Sequence, residues 1–362
     1  MSFYEKILRP LAFKMDAEAA HERACAILKF LDVFPGAYGA LESVYSFQDE
    51  SLYTEVAGLK FPNPIGLAAG FDKDARLASV LPAFGFGSIE VGTVTLLPQP
   101  GNPKPRLFRF PESNAIINRM GFNSAGADEA ARLLRSLSRR PIPVGINIGL
   151  NKDAPKDDAP EHYAKTFVKL YPYGDYFTVN VSSPNTEGLR RLQEKLRLER
   201  ILRRLAEFNG DKKPIFVKLS PDLNSEELEN LLPMLEENAG GVICTNTTLS
   251  RPDVGDEAAR IRGGLSGAPL ETLSTEMIRR VYRLTNGRLP IIGAGGVFSA
   301  QDAYRKIRAG ASLIQIYTGF VYRGPVLPSE INLGLKRLLR EHGLTAVRDA
   351  VGKSSQEEAA SL

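Results

Sequence analysis

The stretch Val179-Asn180-Val181-Ser182-Ser183-Pro184-Asn185-Thr186 sets two carboxamides and two serine hydroxyls at the end of an apolar run, Tyr176-Phe177-Thr178-Val179. Carboxamides offer paired donors and acceptors, and hydroxyls can give or take a proton. Residues of these types bind and deprotonate a small polar molecule far more readily than they hold a metal. Pro184 stiffens the turn and removes one backbone donor. Taken alone, the same pattern also describes a strand followed by an ordinary Ser/Pro/Asn turn. Repetition favours the chemical reading, because other strand ends in the chain are polar in the same way.

One apolar run ends in Ala69-Gly70-Phe71-Asp72-Lys73 and the next in Gly92-Thr93. Later runs carry Asn147, Asn180 with Ser183, Lys218, Thr245-Asn246-Thr247, Gly293-Ala294-Gly295-Gly296 and Tyr317-Thr318-Gly319. Two lysines on inward strand ends, Lys73 and Lys218, are hard to dismiss as structural groups, since burying a charge without a partner is costly. The Gly295-Gly296 and Tyr317–Gly319 turns close successive runs. Bare backbone N–H groups there, next to helix N-termini, suit a phosphate. A phosphate, a lysine and several amides together suggest a flavin mononucleotide (FMN), with Lys218 offsetting negative charge at the N1/C2 carbonyl end of the reduced ring. Asn118, Asn180, Asn185, Asn246 and Thr247 then read as a cage for a ring that alternates C=O and N–H. Lys73 and the backbone of Arg119-Met120-Gly121-Phe122 would take a carboxylate. Any one of these asparagines, taken singly, is also compatible with a plain loop.

The elements that must position these residues follow from the apolar pattern. Eight buried runs are expected as strands: Ile65–Ala69, Ser88–Val94, Val144–Ile148, Tyr176–Val181, Ile215–Leu219, Gly241–Thr245, Pro290–Ala294 and Ser312–Tyr317. Helical patterns separate most of them, among them Ala125–Leu137, Arg190–Phe208, Ser225–Glu237, Leu270–Thr285 and Ala300–Ala309. Eight strand–helix repeats predict a closed α/β (β/α)8 TIM barrel, whose site lies at the C-terminal ends of the strands. A small hairpin, Thr54–Val56 with Leu59–Phe61, precedes the repeats. Pro98–Pro111 reads as a Pro/Gly-rich insertion, Asn151–Pro160 and Arg251–Arg262 as polar loops, and Glu187–Gln193 as a lid that would exclude water. The expected domains are an amphipathic extension over 1–45, the barrel over 46–350 and a polar, disordered tail over 351–362.

The extension predicts two helices. Phe3, Tyr4, Ile7, Leu8 and Leu11 recur at helical spacing, and the first fourteen residues hold three basic side chains against one acid. Asp16 caps a second helix on which Ala20, Ala24, Ile27, Leu28 and Leu31 share a face, ended by Phe34-Pro35-Gly36. Such a pair suits a membrane interface, and it equally suits packing on the main domain.

Composition narrows the classes. With 362 residues, 43% hydrophobic and 24% charged, the chain is of ordinary globular make-up. Its net charge of +4 is scattered, without basic runs, which disfavours nucleic acid as a partner. Two cysteines without a CxxC pair and three histidines argue against a disulfide framework, structural zinc or a His-rich metal centre; no metal is expected. No apolar run reaches the roughly 18 residues of a spanning helix, and no secretory h-region opens the chain, so an intracellular setting is expected.

The chain resembles the dihydroorotate dehydrogenase family, in its membrane-associated, quinone-using class. The resemblance is carried by AAGFDKD (68–74), EVGTVT (90–95), GNPKPRLFR (101–109), INRMGFNS (117–124), NVSSPNT (180–186), CTNTT (244–248), GGLSG (263–267), GAGGV (293–297) and IQIYTGF (314–320). It implies oxidation of dihydroorotate to orotate in pyrimidine synthesis, with FMN as cofactor, a membrane quinone as acceptor and a peripheral place, as a monomer, on the cytoplasmic side of the cell membrane. By position it makes Ser183 the base at C5, while hydride leaves C6 for flavin N5, with Thr186 and Phe122 bordering the proton's exit and Lys73 aiding catalysis. FMN would lie on Ala69, Gly70, Phe71, Asp72, Lys73, Thr93, Asn147, Asn180, Lys218, Thr245, Gly267, Gly296, Tyr317 and Thr318. Orotate would contact Lys73, Asn118, Arg119, Met120, Gly121, Phe122, Asn180, Asn185, Asn246 and Thr247. His21, Arg109 and Tyr317 would line the quinone path.

Serine, not cysteine, at the base position separates this chain from the soluble classes that the family also contains. Those classes would use an acceptor such as fumarate or NAD and lack the helical extension. A non-enzymatic, phosphate-binding barrel would leave both lysines and five amides without a role. A serine hydroxyl titrates far above neutrality, and no histidine lies near Ser183 in sequence. Deprotonation must therefore rest on desolvation and on stabilising the forming enolate, with Lys73 the candidate group.

Overall fold

The structure is a computed structural model that describes residues 2–137, 139–186 and 188–360. Its centre is a closed barrel of eight parallel strands: Ile65–Leu67 (β1), Ser88–Thr95 (β2), Val144–Gly149 (β3), Tyr176–Asn180 (β4), Ile215–Leu219 (β5), Gly241–Cys244 (β6), Ile291–Ala294 (β7) and Leu313–Ile316 (β8). Each strand pairs with the next, and β8 closes on β1 through Ile314↔Ile65, Gln315↔Gly66 and Ile316↔Leu67. Every residue of the eight strands is buried, as a parallel sheet enclosed by helices requires. Leu, Ile and Val side chains from the strands and the helix ring form one continuous core.

The strands occur where the apolar runs place them, with ends that differ by at most two residues. Two helices begin later than their periodicity predicts. The helix expected from Ala125 starts at Ala127, because Gly126 has φ +90° and ψ 164°, far from helical values. The one expected from Arg190 starts at Lys195: Leu189–Gln193 forms a 3-10 turn and Glu194 is extended at ψ 133°. The hairpin Thr54–Val56/Leu59–Phe61 is present as predicted. A three-stranded antiparallel sheet was not foreseen. It joins Leu107–Phe110 and Ala115–Asn118 of the insertion to Gly264–Gly267, far away in the chain.

The extension has three helical segments after its opening turns, not two: Arg9–Phe13 (α1), Ala17–Asp32 (α2) and Ala37–Tyr45 (α3). Asp16 caps α2 by accepting from the N–H groups of Glu18 and Ala19. Gly36, at φ +84°, turns the chain into α3, so the Phe-Pro-Gly stop is a corner between helices. The orientation of α2 also differs from a simple packing helix. Its inward side carries Ala17, Glu18, His21, Cys25 and Leu28, while Ala24 and Ile27 of the expected apolar face are exposed. Among the described residues, no single helix is long and apolar enough to cross a membrane.

The tail, expected to be disordered, continues as a helix over Lys353–Ala360. The Ser354 and Ser355 hydroxyls donate to the carbonyls of Arg308 and Ala309, and Arg308 pairs with Glu357. These bonds tie the segment to the helix Ala300–Ala309 and explain why its polar composition did not leave it free.

Candidate active site

The C-terminal ends of the strands open into one cleft. Its wall includes Ala69, Gly70 and Lys73 after β1, Thr93 on β2, Asn180 and Ser183 at the end of β4, and Lys218 on β5. Thr245, Asn246 and Thr247 follow from β6, Gly296 from β7, and Tyr317 and Thr318 from β8. Asn118, Met120, Gly121, Phe122 and Gly267 reach it from the antiparallel sheet and its loop, and Asn185 from the turn after Ser183. Parallel strands of one barrel must present their ends together, which is why residues scattered over more than 200 positions of sequence meet.

The floor is a chain of amides. Asn147 donates to Glu90 at 2.8 Å and accepts from the Thr93 hydroxyl at 2.6 Å. Asn180 donates to Asn147 at 3.1 Å and to Thr93 at 3.0 Å. Asn246 donates to Asn180 at 3.2 Å and to the Ser182 hydroxyl at 2.9 Å, and its own oxygen takes the Thr247 N–H at 2.8 Å. Asn185 reaches Asn118 at 3.2 Å. Paired in this way, amides remain aligned without water.

The two lysines are short of partners. Lys73 donates to the Gly70 carbonyl at 3.0 Å, its one hydrogen bond among the described residues. Lys218 makes none there, and the nearest support for its charge is Glu90. Burial drives both ammonium groups below the usual lysine range. Cationic donors left incompletely satisfied at the base of a cleft are a receptor for negative charge.

Glycine is obligatory at two points on the wall. A Cβ at Gly296 (φ +71°) would stand 2.4 Å from the Cβ of Glu271, and one at Gly267 (φ +106°) would stand 2.2 Å from the Asn114 carbonyl. Backbone is therefore bare at these turns, as close approach of a phosphate or ring requires.

Ser183 is buried, and its hydroxyl oxygen accepts the Asn185 N–H at 3.3 Å. No histidine or carboxylate is bonded to it among the described residues. The Thr186 hydroxyl, three residues on, is buried and without a partner among the described residues.

Several expected contacts lie one layer back. Asn147 meets the cleft through Thr93 and Asn180. The Asp72 carboxyl turns away from the cleft to accept the N–H groups of Arg76 and Leu77, and burial raises it to about 6. Phe71 packs behind the wall, against His21 at 5.0 Å and Tyr317 at 5.9 Å between ring centroids. The Arg119 guanidinium points outward to the Pro105 and Arg262 carbonyls. Arg109 does not line the cleft. It lies over the Phe13 ring at 4.4 Å and donates to the carbonyls of Ala12, Phe13 and Met15, which end α1.

His21 does line the cleft, from α2, with its ring edge-on to Phe71. Burial, with Lys73 nearby, lowers it to about 4, so the imidazole is neutral near pH 7. Its Nε2 is 3.4 Å from Cys25 Sγ, and burial pushes that thiol up to about 12.

Three groups escaped the sequence reading. Glu90 is fully buried in the barrel, where it also accepts from Thr178 at 3.1 Å and Gln315 at 2.8 Å. Its signal was an acid inside an apolar run. Glu18 accepts two bonds from Arg106, at 3.1 and 2.7 Å, and anchors α2 to the barrel. Arg190 clasps the Ser182 and Thr247 carbonyls at 3.2 and 3.3 Å and Asp222 at 2.9 Å. With Leu189, Leu192 and Gln193 buried, the segment expected as a lid is packed against the protein beside Ser182 and Thr247; Glu187 of that stretch lies outside the described residues.

Comparison with known proteins agrees with this arrangement. The model of the family described as dihydroorotate dehydrogenase matches residues 51–339. A protein of Roseiflexus castenholzii named dihydroorotate dehydrogenase (quinone) is 47% identical over 98% of both chains. One of the same name from Sphingopyxis alaskensis is 48% identical over 96% of both. Among solved structures, DHODH from Eimeria tenella in complex with ferulenol superposes with a TM-score of 0.86 at 36% identity, covering 94% of this chain and 98% of the other. The match extends through the helical extension as well as the barrel, and a serine stands in the polar turn after β4. The chain belongs to the dihydroorotate dehydrogenase family, among the members named for a quinone acceptor.

Proposed function

We propose that this protein oxidises dihydroorotate to orotate in pyrimidine biosynthesis, with FMN as its cofactor and a membrane quinone as the final acceptor. The observation that carries the reading is the meeting of a buried serine hydroxyl, two under-bonded lysines and a set of aligned amides in one cleft. FMN fits the residues present: bare backbone at Gly267 and Gly296 for the phosphate, and Lys218 for the electron-rich edge of the ring. Ala69, Gly70, Lys73, Thr93, Asn180, Thr245, Tyr317 and Thr318 complete its wall, with Phe71, Asp72 and Asn147 supporting it from behind. When bound, FMN accepts a hydride from the substrate and later gives up electrons to the quinone.

The remaining work falls to the chain. Asn118, Asn185, Asn246 and Thr247 hold the pyrimidine ring by its alternating carbonyls and N–H groups. Lys73 and the backbone of Arg119–Phe122 hold the carboxylate. Ser183 takes the proton from C5, and the unpaired Thr186 hydroxyl receives it next, with Phe122 sealing the exit. Lys73 stabilises the enolate that forms, so that a weakly basic hydroxyl suffices in a site without water. Arg190 keeps that site closed.

His21, Phe71 and Tyr317 form a run of rings from α2 to the end of β8 and line the quinone's approach. Arg109 shapes its mouth from outside by fixing the end of α1. Phe3, Ile7, Leu8, Leu11, Ile27, Phe30, Val33, Phe34 and Val44 are all exposed on the extension. Such an apolar surface fits a peripheral seat on the cytoplasmic face of the membrane, with the protein acting as a monomer.

The test is a stopped-flow mix of the purified yellow protein with dihydroorotate, followed by a quinone or fumarate. Bleaching of the oxidised-flavin band, with recovery on quinone alone, is the expected result. Absence of bleaching removes the substrate, and recovery on fumarate removes the acceptor.

A further inference from the structure

Glu90 has no place in the reaction just described, yet it is the most deeply buried carboxylate beside the site, fully enclosed on the second barrel strand. The hydrogen bonds of the floor all run one way. Thr247 N–H donates to Asn246, Asn246 donates to Asn180, Asn180 to Asn147, and Asn147 to Glu90. A carboxamide can bond either way round. A relay of three carboxamides has a definite sense only if its ends are groups that cannot reverse. Here one end is a backbone N–H, which can only donate. The other is a carboxylate whose two oxygens already take Asn147, Thr178 and Gln315 as donors, so it stands in the relay as an acceptor.

We infer that Glu90 is a positioning residue, whose acceptor oxygen sets which way the Asn147, Asn180 and Asn246 carboxamides face and so fixes the pattern that reads the substrate ring. The inference rests on the reading of the cleft as an orotate site. Its second oxygen strengthens the assignment: with Thr178 and Gln315 as donors, Glu90 is held by three strands and cannot turn away from Asn147. A purely packing role would not require an acid here, since an apolar chain fills a barrel interior at lower cost.

The test compares Glu90→Met with Glu90→Gln in the FMN-loaded protein. Methionine fills similar space but has no oxygen, so Asn147 loses its acceptor and the relay loses its fixed end. Glutamine replaces the carboxyl with a carboxamide but keeps an oxygen for Asn147. Its new NH2 can be met by Gln315, whose side-chain oxygen is buried and has no partner among the described residues. The measured quantity is orotate affinity, read from the change that orotate makes in the flavin spectrum. The expected result is about tenfold weaker binding in Glu90→Met, the effect of one unpaired buried donor, with Glu90→Gln within about twofold of the natural protein.

A folded Glu90→Met that binds orotate normally overturns the proposal, and so does a Glu90→Gln as impaired as Glu90→Met. Should Glu90→Met not fold, neutron diffraction of the natural protein decides. Deuterium density on the Asn147 atom facing Glu90 upholds the assignment, and a bare oxygen there overturns it. Failure of the underlying reading has a different signature, since the natural protein would then show no spectral response to orotate at all.

Discussion

The floor of the cleft and the outer side of the N-terminal helices obey opposite rules. At the floor, polar groups are turned inward and the amides are matched: Asn147, Asn180 and Asn246 satisfy one another, and the apolar side chains form the shell around them. On α2, Glu18 and His21 face the protein, while the large apolar side chains of Ile27 and Phe30 face out. Phe30 is 64% exposed and Ile27 61%, while Glu18 is 6% exposed and bonded to Arg106. Water alone would favour the reverse for a helix of this kind. The cleft floor and the outer face of the extension are thus surfaces of different kinds, one of matched amides and one exposed and apolar. On the proposed function, the first handles the substrate and the second faces the acceptor's membrane.

The largest expected effect that would break this division lies at the floor. Ser183→Ala should slow flavin reduction by dihydroorotate by roughly 10²–10⁴-fold, the usual contribution of a positioned base. Oxidation of the chemically pre-reduced flavin by quinone should remain normal. Stopped-flow traces of the two half-reactions report both numbers, and a variant that bleaches at the natural rate removes Ser183 from its role. Next comes Lys73→Met. Loss of a charge-assisted bond of about 2–3 kcal/mol should weaken orotate binding roughly 30- to 160-fold, seen by spectral titration, without changing vesicle binding.

The extension should respond the other way round. Phe30→Glu takes one large apolar side chain out of the exposed face, and about tenfold weaker sedimentation with phospholipid vesicles is expected. Its dihydroorotate half-reaction should match that of the natural protein. If vesicle binding is unaffected, the apolar face has some other use.

The smallest effect sharpens the boundary between the two regions. Burial holds His21 at about 4, against an ordinary 6.5, so the folded state binds fewer protons than the unfolded one across that window. Stability contributed by neutral His21 is therefore full above the ordinary value and declines as pH falls from there toward about 4. The Arg106 hydrogen bonds lower the Glu18 pKa from 4.5, which acts in the same direction: its stabilisation is present above 4.5 and is lost as acid protonates the folded carboxylate. Mild acid should loosen α2 before the barrel, read as earlier amide exchange over 17–32 than over the strands. Simultaneous exchange would mean that the two regions unfold as one.

Much of the barrel was legible because its signal is local and repeated. Buried parallel strands are short apolar runs, and runs such as Ile215–Leu219 or Gly241–Cys244 admit little else between helical patterns. Most of the cleft residues followed by simple geometry from their places at strand ends. What the sequence by itself determined, then, was the eightfold repeat, the polar strand ends and, through the family resemblance, the serine and its reaction. Tertiary structure alone decided which polar groups face the cleft and which support it. Asp72 and Asn147 read alike as strand-end polar residues, and only the packing shows one capping backbone N–H groups and the other joining the relay on Glu90. It also decided that Ala24, Ile27 and Phe30 of α2 point outward and that Leu107–Phe110, Ala115–Asn118 and Gly264–Gly267 share a sheet. The physical reason is the same in each case. Periodicity along a chain reveals which side chains share a face, but the direction of that face, and the partner of a buried polar atom, depend on groups far off in sequence.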